Sequence, residues 1–156
     1  MLPLVGQKLA LSSPGLGTSL MSVCIVAAQA GRVLLVEDNR EVAEITASHL
    51  QELGFEVVHA SDVDSARAVL RSADEALDLV LSDIVMPGQS NGLDLARTIR
   101  KEHGTKLPIL LATGYSDVAQ AAAEERFPVL RKPYDKQQLR EATAKAIRAA
   151  RLKVVA

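Results

Sequence analysis

The sequence predicts a doubly wound α/β domain, a five-stranded parallel sheet with helices on both faces, preceded by a helical tail. Three observations carry this expectation. From Arg32 onward, strand-like and helix-like segments alternate five times. The first strand candidate, Val33-Leu34-Leu35-Val36, is a continuous apolar run, the pattern of a strand buried on both faces. The chain has 156 residues, enough for one ordinary domain with some left for a tail.

Taken in order, Ser12, Ser13, Pro14, Gly15 and Gly17 mark a loop, and Thr18 or Ser19 can cap a short helix running to about Ala30. Met21, Val23, Ile25 and Val26 give that helix an apolar face in need of a partner: the domain, a second copy as in a homodimer, or the rest of a larger protein to which it once belonged. After the first strand, Val42, Ile45, His49, Leu50 and Leu53 repeat at threes and fours, and Gly54 stands where a helix-ending glycine belongs. Phe55 to Ala60 reads as the second strand, and Asp62 to Ser72 as a helix with Asp62 as its cap. Leu77 to Ser82 is the third strand and Leu93 to His103 the third helix of this series. Pro108 to Ala112, a helix from about Asp117 to Arg126, Val129 to Leu130 and a long helix from Asp135 to Arg151 complete the pattern. The expected organisation is a tail over 1–31, a domain over 32–151 and a C-terminal tail over 152–156.

Hydrophobic residues make up 48% and charged residues 24%, the balance of a soluble globular protein. Aromatics are only 3%, so the core has to be built from Leu, Val, Ile and Ala. The formal net charge is −1 with no Lys/Arg block, so nucleic-acid binding driven by bulk charge is not expected, and no base-reading module stands out. Cys24 is the sole cysteine, which excludes an intrachain disulfide and agrees with a cytoplasmic setting. Leu20 to Ala28 ends at Ala28-Gln29-Ala30, loosely like a signal-peptide cleavage site. However, Lys8 lies far upstream across Pro14, Gly15 and Gly17, and the run is too short to span a bilayer.

In a parallel doubly wound sheet, ligands bind beyond the carboxyl ends of the strands. Glu37 and Asp38 follow the first strand, Asp83 the third, Thr113 the fourth and Lys132 the fifth. Convergence of three carboxylates raises their proton affinity unless cations compensate. Lys132 supplies one positive charge, and hard oxygen ligands with room for water suit Mg²⁺ as the second. Asp83 in such a site can attack phosphorus, with the ion and Lys132 stabilising charge on the phosphoryl oxygens.

The chain from Arg32 to about Arg151 resembles the receiver domain of bacterial two-component response regulators. The matching pieces are Val33-Leu34-Leu35-Val36-Glu37-Asp38-Asn39, Ser82-Asp83-Ile84-Val85-Met86-Pro87-Gly88, Ala112-Thr113-Gly114-Tyr115 and Arg131-Lys132-Pro133. The resemblance implies a flavodoxin-like receiver fold and a phosphoryl group accepted on Asp83 from a histidine kinase or histidine phosphotransfer protein. It implies Mg²⁺ held by Asp38 directly, by Glu37 through water, by Asp83 and by the carbonyl of Val85. Thr113 matches the switch hydroxyl, Lys132 its companion lysine, and Pro133 the proline that commonly follows in a cis bond. The family often has Tyr or Phe three residues before the lysine, where this chain has Val129, so the aromatic part of the relay is missing; Tyr115 stands at the rim instead.

The segments Gly15-Leu16-Gly17-Thr18-Ser19-Leu20 and Ala28-Gln29-Ala30-Gly31 look like the glycine box and helix near the end of a histidine-kinase ATP-binding domain. That resemblance implies the receiver end of a hybrid kinase, or descent from one, without ATP binding. Taken singly, each site residue has a plainer reading: a solvated helix start for Glu37 and Asp38, a turn for Asp83, a surface lysine for Lys132. His49, His59 and His103 are scattered without metal-ligand spacing and read as helix or strand surface. The expected protein is a switch rather than a turnover enzyme, because no separate acid/base or substrate cap is recognisable. The alternative is a receiver-like interaction module that docks without phosphate.

Overall fold

The computed structural model describes residues 31–155 except 73–75, 87, 89 and 90. The expected tail helix, with Cys24 in it, lies outside the described residues. The elements are β1 (Gly31–Val36), α1 (Arg40–Glu52), β2 (Phe55–Ala60), α2 (Val63–Arg71) and β3 (Leu79–Asp83). They continue with α3 (Gly92–His103), β4 (Ile109–Thr113), α4 (Ser116–Glu124), β5 (Val129–Arg131) and α5 (Lys136–Val155). The strands form one sheet in the order β2-β1-β3-β4-β5, with every neighbouring pair parallel. This is the expected doubly wound fold.

The apolar runs divide their side chains between two cores because successive strand residues point to opposite faces. Leu34, Val36, Val80, Ile109 and Leu111 meet α2, α3 and α4 through Ala66, Leu95, Ile99 and Ala122. Val33, Leu35, Leu79, Leu81 and Leu110 meet α1 and α5 through Ala43, Leu50, Leu139 and Ala146. Leu and Val fill both sides of the central strands to near-zero exposure, which is why those strands read as unbroken hydrophobic runs.

Local signals set the helix ends. Asn39 accepts a hydrogen bond from the Val42 amide, Asp62 from Ser65 at 2.7 Å, and Asn91 and Asp94 form a reciprocal capping box. Gly54 follows α1 with φ +98°, as a helix-terminating glycine should. Several boundaries differ from expectation. β3 and β4 run one residue further than their apolar runs suggest, because pairing continues past them: the Ile84 amide donates to Ala112 O at 3.0 Å, and the Lys132 amide to Thr113 O at 3.0 Å. Asp83 and Thr113 are therefore the last residues of their strands rather than the first beyond them. α4 stops at Glu124 instead of Arg126, which takes φ +67°, and α5 continues past Arg151 to Val155.

The winding direction reverses between β1 and β3, and the crevice at such a switch point is where this architecture places ligands. One glycine lets α3 begin close against that point. The Gly92 amide donates to Ile84 O at 2.9 Å, and a Cβ on Gly92 would lie 2.0 Å from the Asp83 carbonyl oxygen. Alanine is the better helix former by about 1 kcal/mol, yet here it collides with backbone that cannot swing aside. Gly92→Ala is expected to lower stability by about 1–3 kcal/mol in urea denaturation; an unchanged or raised midpoint would contradict this packing.

Candidate functional site at the carboxyl edge of the sheet

The acidic turn after β1 is held tightly. The Glu37 amide donates to Ala60 O at 3.0 Å, extending the contact with β2, and the side chain is 4% exposed. Its Oε2 accepts the Asn39 amide at 3.1 Å, and its Oε1 accepts the Lys132 ammonium at 3.1 Å. Both oxygens of this carboxylate are thus engaged. Nε2 of His59 on β2 donates to the Glu37 carbonyl at 2.8 Å, so this histidine braces the turn from the strand surface. Asp38 is exposed at the edge.

Asp83, at the end of β3, pairs with the same ammonium: Lys132 Nζ lies 3.2 Å from Asp83 Oδ2. Glu37, Asp38 and Asp83 each offer a carboxylate oxygen within 4.8 Å of the others. Thr113 sits on the adjacent strand, one residue beyond Ala112, the register partner of Asp83. It is 1% exposed, and its Oγ1 accepts the Tyr115 amide at 3.2 Å. The Lys132–Pro133 bond is cis, as expected. Val85 lies in the loop leaving β3 with its side chain exposed.

Electrostatics follow from this crowding. Burial pushes the Asp83 carboxyl up to about 6; Lys132 opposes that rise, and the neighbouring Glu37 and Asp38 charges add to it. For Lys132, burial disfavours the charged form, but the hydrogen bond to Glu37 and the Asp83 and Glu37 charges outweigh it, so its ammonium is held above the ordinary lysine range. Lys132 stays charged while Asp83 is poised to accept positive charge.

The sequence expectation placed Glu37, Asp38, Asp83, Thr113 and Lys132 at one edge. The structure brings the three carboxylates and the amine into one cluster, with Thr113 on the neighbouring strand. Sequence reasoning missed Gly92, Asn39 as the cap that ties α1 to Glu37, and Tyr134, whose hydroxyl lies 3.2 Å from Thr46 Oγ1 on α1. Asn39 carried a readable signal, a capping residue just before a helical period. The others depend on distant contacts. At Val129 the side chain is half-buried on β5, and it packs at the margin of the core beneath α2, α3 and α4.

The profile of the response regulator receiver domain family matches residues 33–144. The transcriptional regulatory protein CpxR of Klebsiella pneumoniae is 37% identical over 83 residues, 53% of this chain and 34% of CpxR. The chain thus spans about a third of that curated relative's length. A receiver domain protein of Clostridium thermocellum superposes with a TM-score of 0.71 at 27% identity, over 78% of this chain and 98% of that one. The response regulator TrrA of Thermotoga maritima, solved in complex with Mg²⁺-BeF, superposes with a TM-score of 0.65 at 30% identity, over 74% of this chain and 98% of that one. The matched stretch contains every strand from Val33 onward and the whole acidic cluster with its lysine, and the chain belongs to the response regulator receiver domain family.

Proposed function

We propose that Asp83 accepts a phosphoryl group from a phosphohistidine of a histidine kinase or histidine phosphotransfer protein, in a Mg²⁺-dependent reaction that switches the domain's contacts with partners. The observation that carries this reading is the cluster itself, three carboxylates and one ammonium at the switch point of the sheet. Ionised together, these groups leave two uncompensated negative charges, which a divalent cation cancels. The donor set is all oxygen and partly open to water, as Mg²⁺ requires. Asp38 and Asp83 have carboxylate oxygens to offer, and the Val85 carbonyl is the expected backbone ligand. Glu37, occupied by Lys132 and Asn39, is suited to act through water. When bound, the ion supplies positive charge against the phosphoryl oxygens.

In the proposed transfer, an Asp83 carboxylate oxygen forms a bond to phosphorus as the phosphorus–nitrogen bond of the donor breaks, the bonding pair leaving with the imidazole. The Lys132 ammonium, already 3.2 Å from Asp83, is placed to neutralise an equatorial oxygen. The Thr113 hydroxyl, one strand over, is placed to donate to another once its contact with the Tyr115 amide is rearranged. Phosphorylation adds about −1.5 to −2 charges at neutral pH, so Asp83, Lys132 and Thr113 acquire a new common partner. The TrrA complex with Mg²⁺-BeF, from a domain of the same fold, supports this assignment of ion and phosphoryl site. No helix among the described residues is long and apolar enough to cross a membrane. We place the reaction in the cytoplasm, where histidine-kinase donors act.

Incubation with acetyl phosphate and Mg²⁺ is expected to add one phosphate by mass spectrometry, with none added to Asp83→Asn or in the presence of a chelator. Failure of the wild-type chain to gain phosphate sinks the proposal. Without metal, the raised Asp83 carboxyl means that the folded state binds more protons than the unfolded state between about pH 4 and 6. Stability therefore falls as pH rises through that window and stays reduced above it. Asp83→Asn removes this penalty and should raise the melting temperature of the metal-free protein by about 3–8 °C at pH 7.5, allowing for solvent screening. The gain should shrink toward zero at pH 4. Equal gains at both pH values would disprove the raised proton affinity of Asp83. Added Mg²⁺ should stabilise the wild type more than Asp83→Asn.

A further inference from the structure

Tyr134 follows the Lys132–Pro133 pair, and its ring packs into the core shared by α1 and α5. Its hydroxyl lies 3.2 Å from the Thr46 hydroxyl in the middle of α1, where Thr46 is 3% exposed. The amino end of the same helix holds the acidic turn, because Asn39 caps α1 and its amide is bound by Glu37. α1 is therefore a common frame for two parts of the site that are far apart in sequence. One end fixes Glu37, and its middle fixes the turn that carries Lys132. A second tie, Lys136 to Glu52 at 2.7 Å, joins the same elements but is solvent-exposed and correspondingly weak.

We infer that Tyr134 is a positioning residue for phosphoryl transfer, its hydroxyl bond to Thr46 holding the Lys132 turn so that the ammonium rests between Glu37 and Asp83. A lysine side chain is a compact charge on a flexible four-carbon stem, so its reach is governed by where its backbone is anchored. The ammonium meets Glu37 at 3.1 Å and Asp83 at 3.2 Å. Little slack in the turn is needed to favour one carboxylate and withdraw the charge from the phosphoryl site. Tyr134 touches neither the metal-binding oxygens nor the phosphoryl group, and it acts through Lys132. The inference rests on Asp83 being the phosphoacceptor.

Tyr134→Phe and Thr46→Val each remove one half of the bond while conserving shape. With saturating acetyl phosphate and Mg²⁺, each is expected to slow the maximal phosphorylation rate about tenfold, below the roughly hundredfold that a full ~1 Å misplacement costs. Mg²⁺ affinity measured by calorimetry should be unchanged, because Asp38, Asp83 and Val85 are held elsewhere. The double variant should be no slower than either single one, as for two halves of one interaction. A wild-type rate in either single variant, additive losses in the double, or a parallel fall in Mg²⁺ affinity and melting temperature would overturn the inference. If the wild type itself takes no phosphate, the phosphoacceptor reading fails first and takes this one with it.

Discussion

One ammonium shared between two carboxylates organises this molecule's chemistry. Lys132 arrives from the end of β5 and meets Glu37 from β1 and Asp83 from β3 at nearly equal distances. Without that cation, three acidic groups at one sheet edge would be held together against their own repulsion. With it, the cluster still carries more negative than positive charge, and burial, with the Glu37 and Asp38 charges adding to it, keeps the proton affinity of Asp83 raised. Two aliphatic cores clamp the sheet from either side and hold these strand ends in place.

Backbone contacts supply the precision. Asp83 and Thr113 terminate strands that are still paired, so their side chains leave from rigid ladder positions rather than from loops. Gly92 lets α3 start against the Asp83 carbonyl, and Asn39 joins the acidic turn to α1. Each of these devices restrains a short segment beside the acidic cluster. Farther out, Arg97 is bound by Asp94 and Glu125, and Arg100 donates to the Glu125 and Arg126 carbonyls. These contacts fasten α3 to the end of α4 on the side of the sheet away from α1.

The chain matches only about a third of a whole regulator such as CpxR. In this chain position 129, three residues before Lys132, is Val, half-buried on β5. Tyr115 is 60% exposed, and its amide donates to the Thr113 hydroxyl, which ties the end of β4 to the loop that begins α4.

Much of this was legible in the residues. The unbroken runs such as Val33 to Val36 announced doubly covered parallel strands, because a strand packed on both faces has no polar side to show. Gly54 and Asp62 marked helix ends through purely local chemistry, and the acids, hydroxyl and amine at the strand ends named the site once the sheet was assumed parallel. Tertiary structure alone decided what lay beyond that. The extra paired residues that pull Asp83 and Thr113 into their strands depend on neighbours from other strands. So do the close approach at Gly92 and the Thr46–Tyr134 bond across 88 residues of sequence. Apolar periodicity and capping act within a few residues and are written in one dimension. The sharing of Lys132 between Glu37 and Asp83 is a distance between remote parts of the chain, and it exists only once both cores have closed.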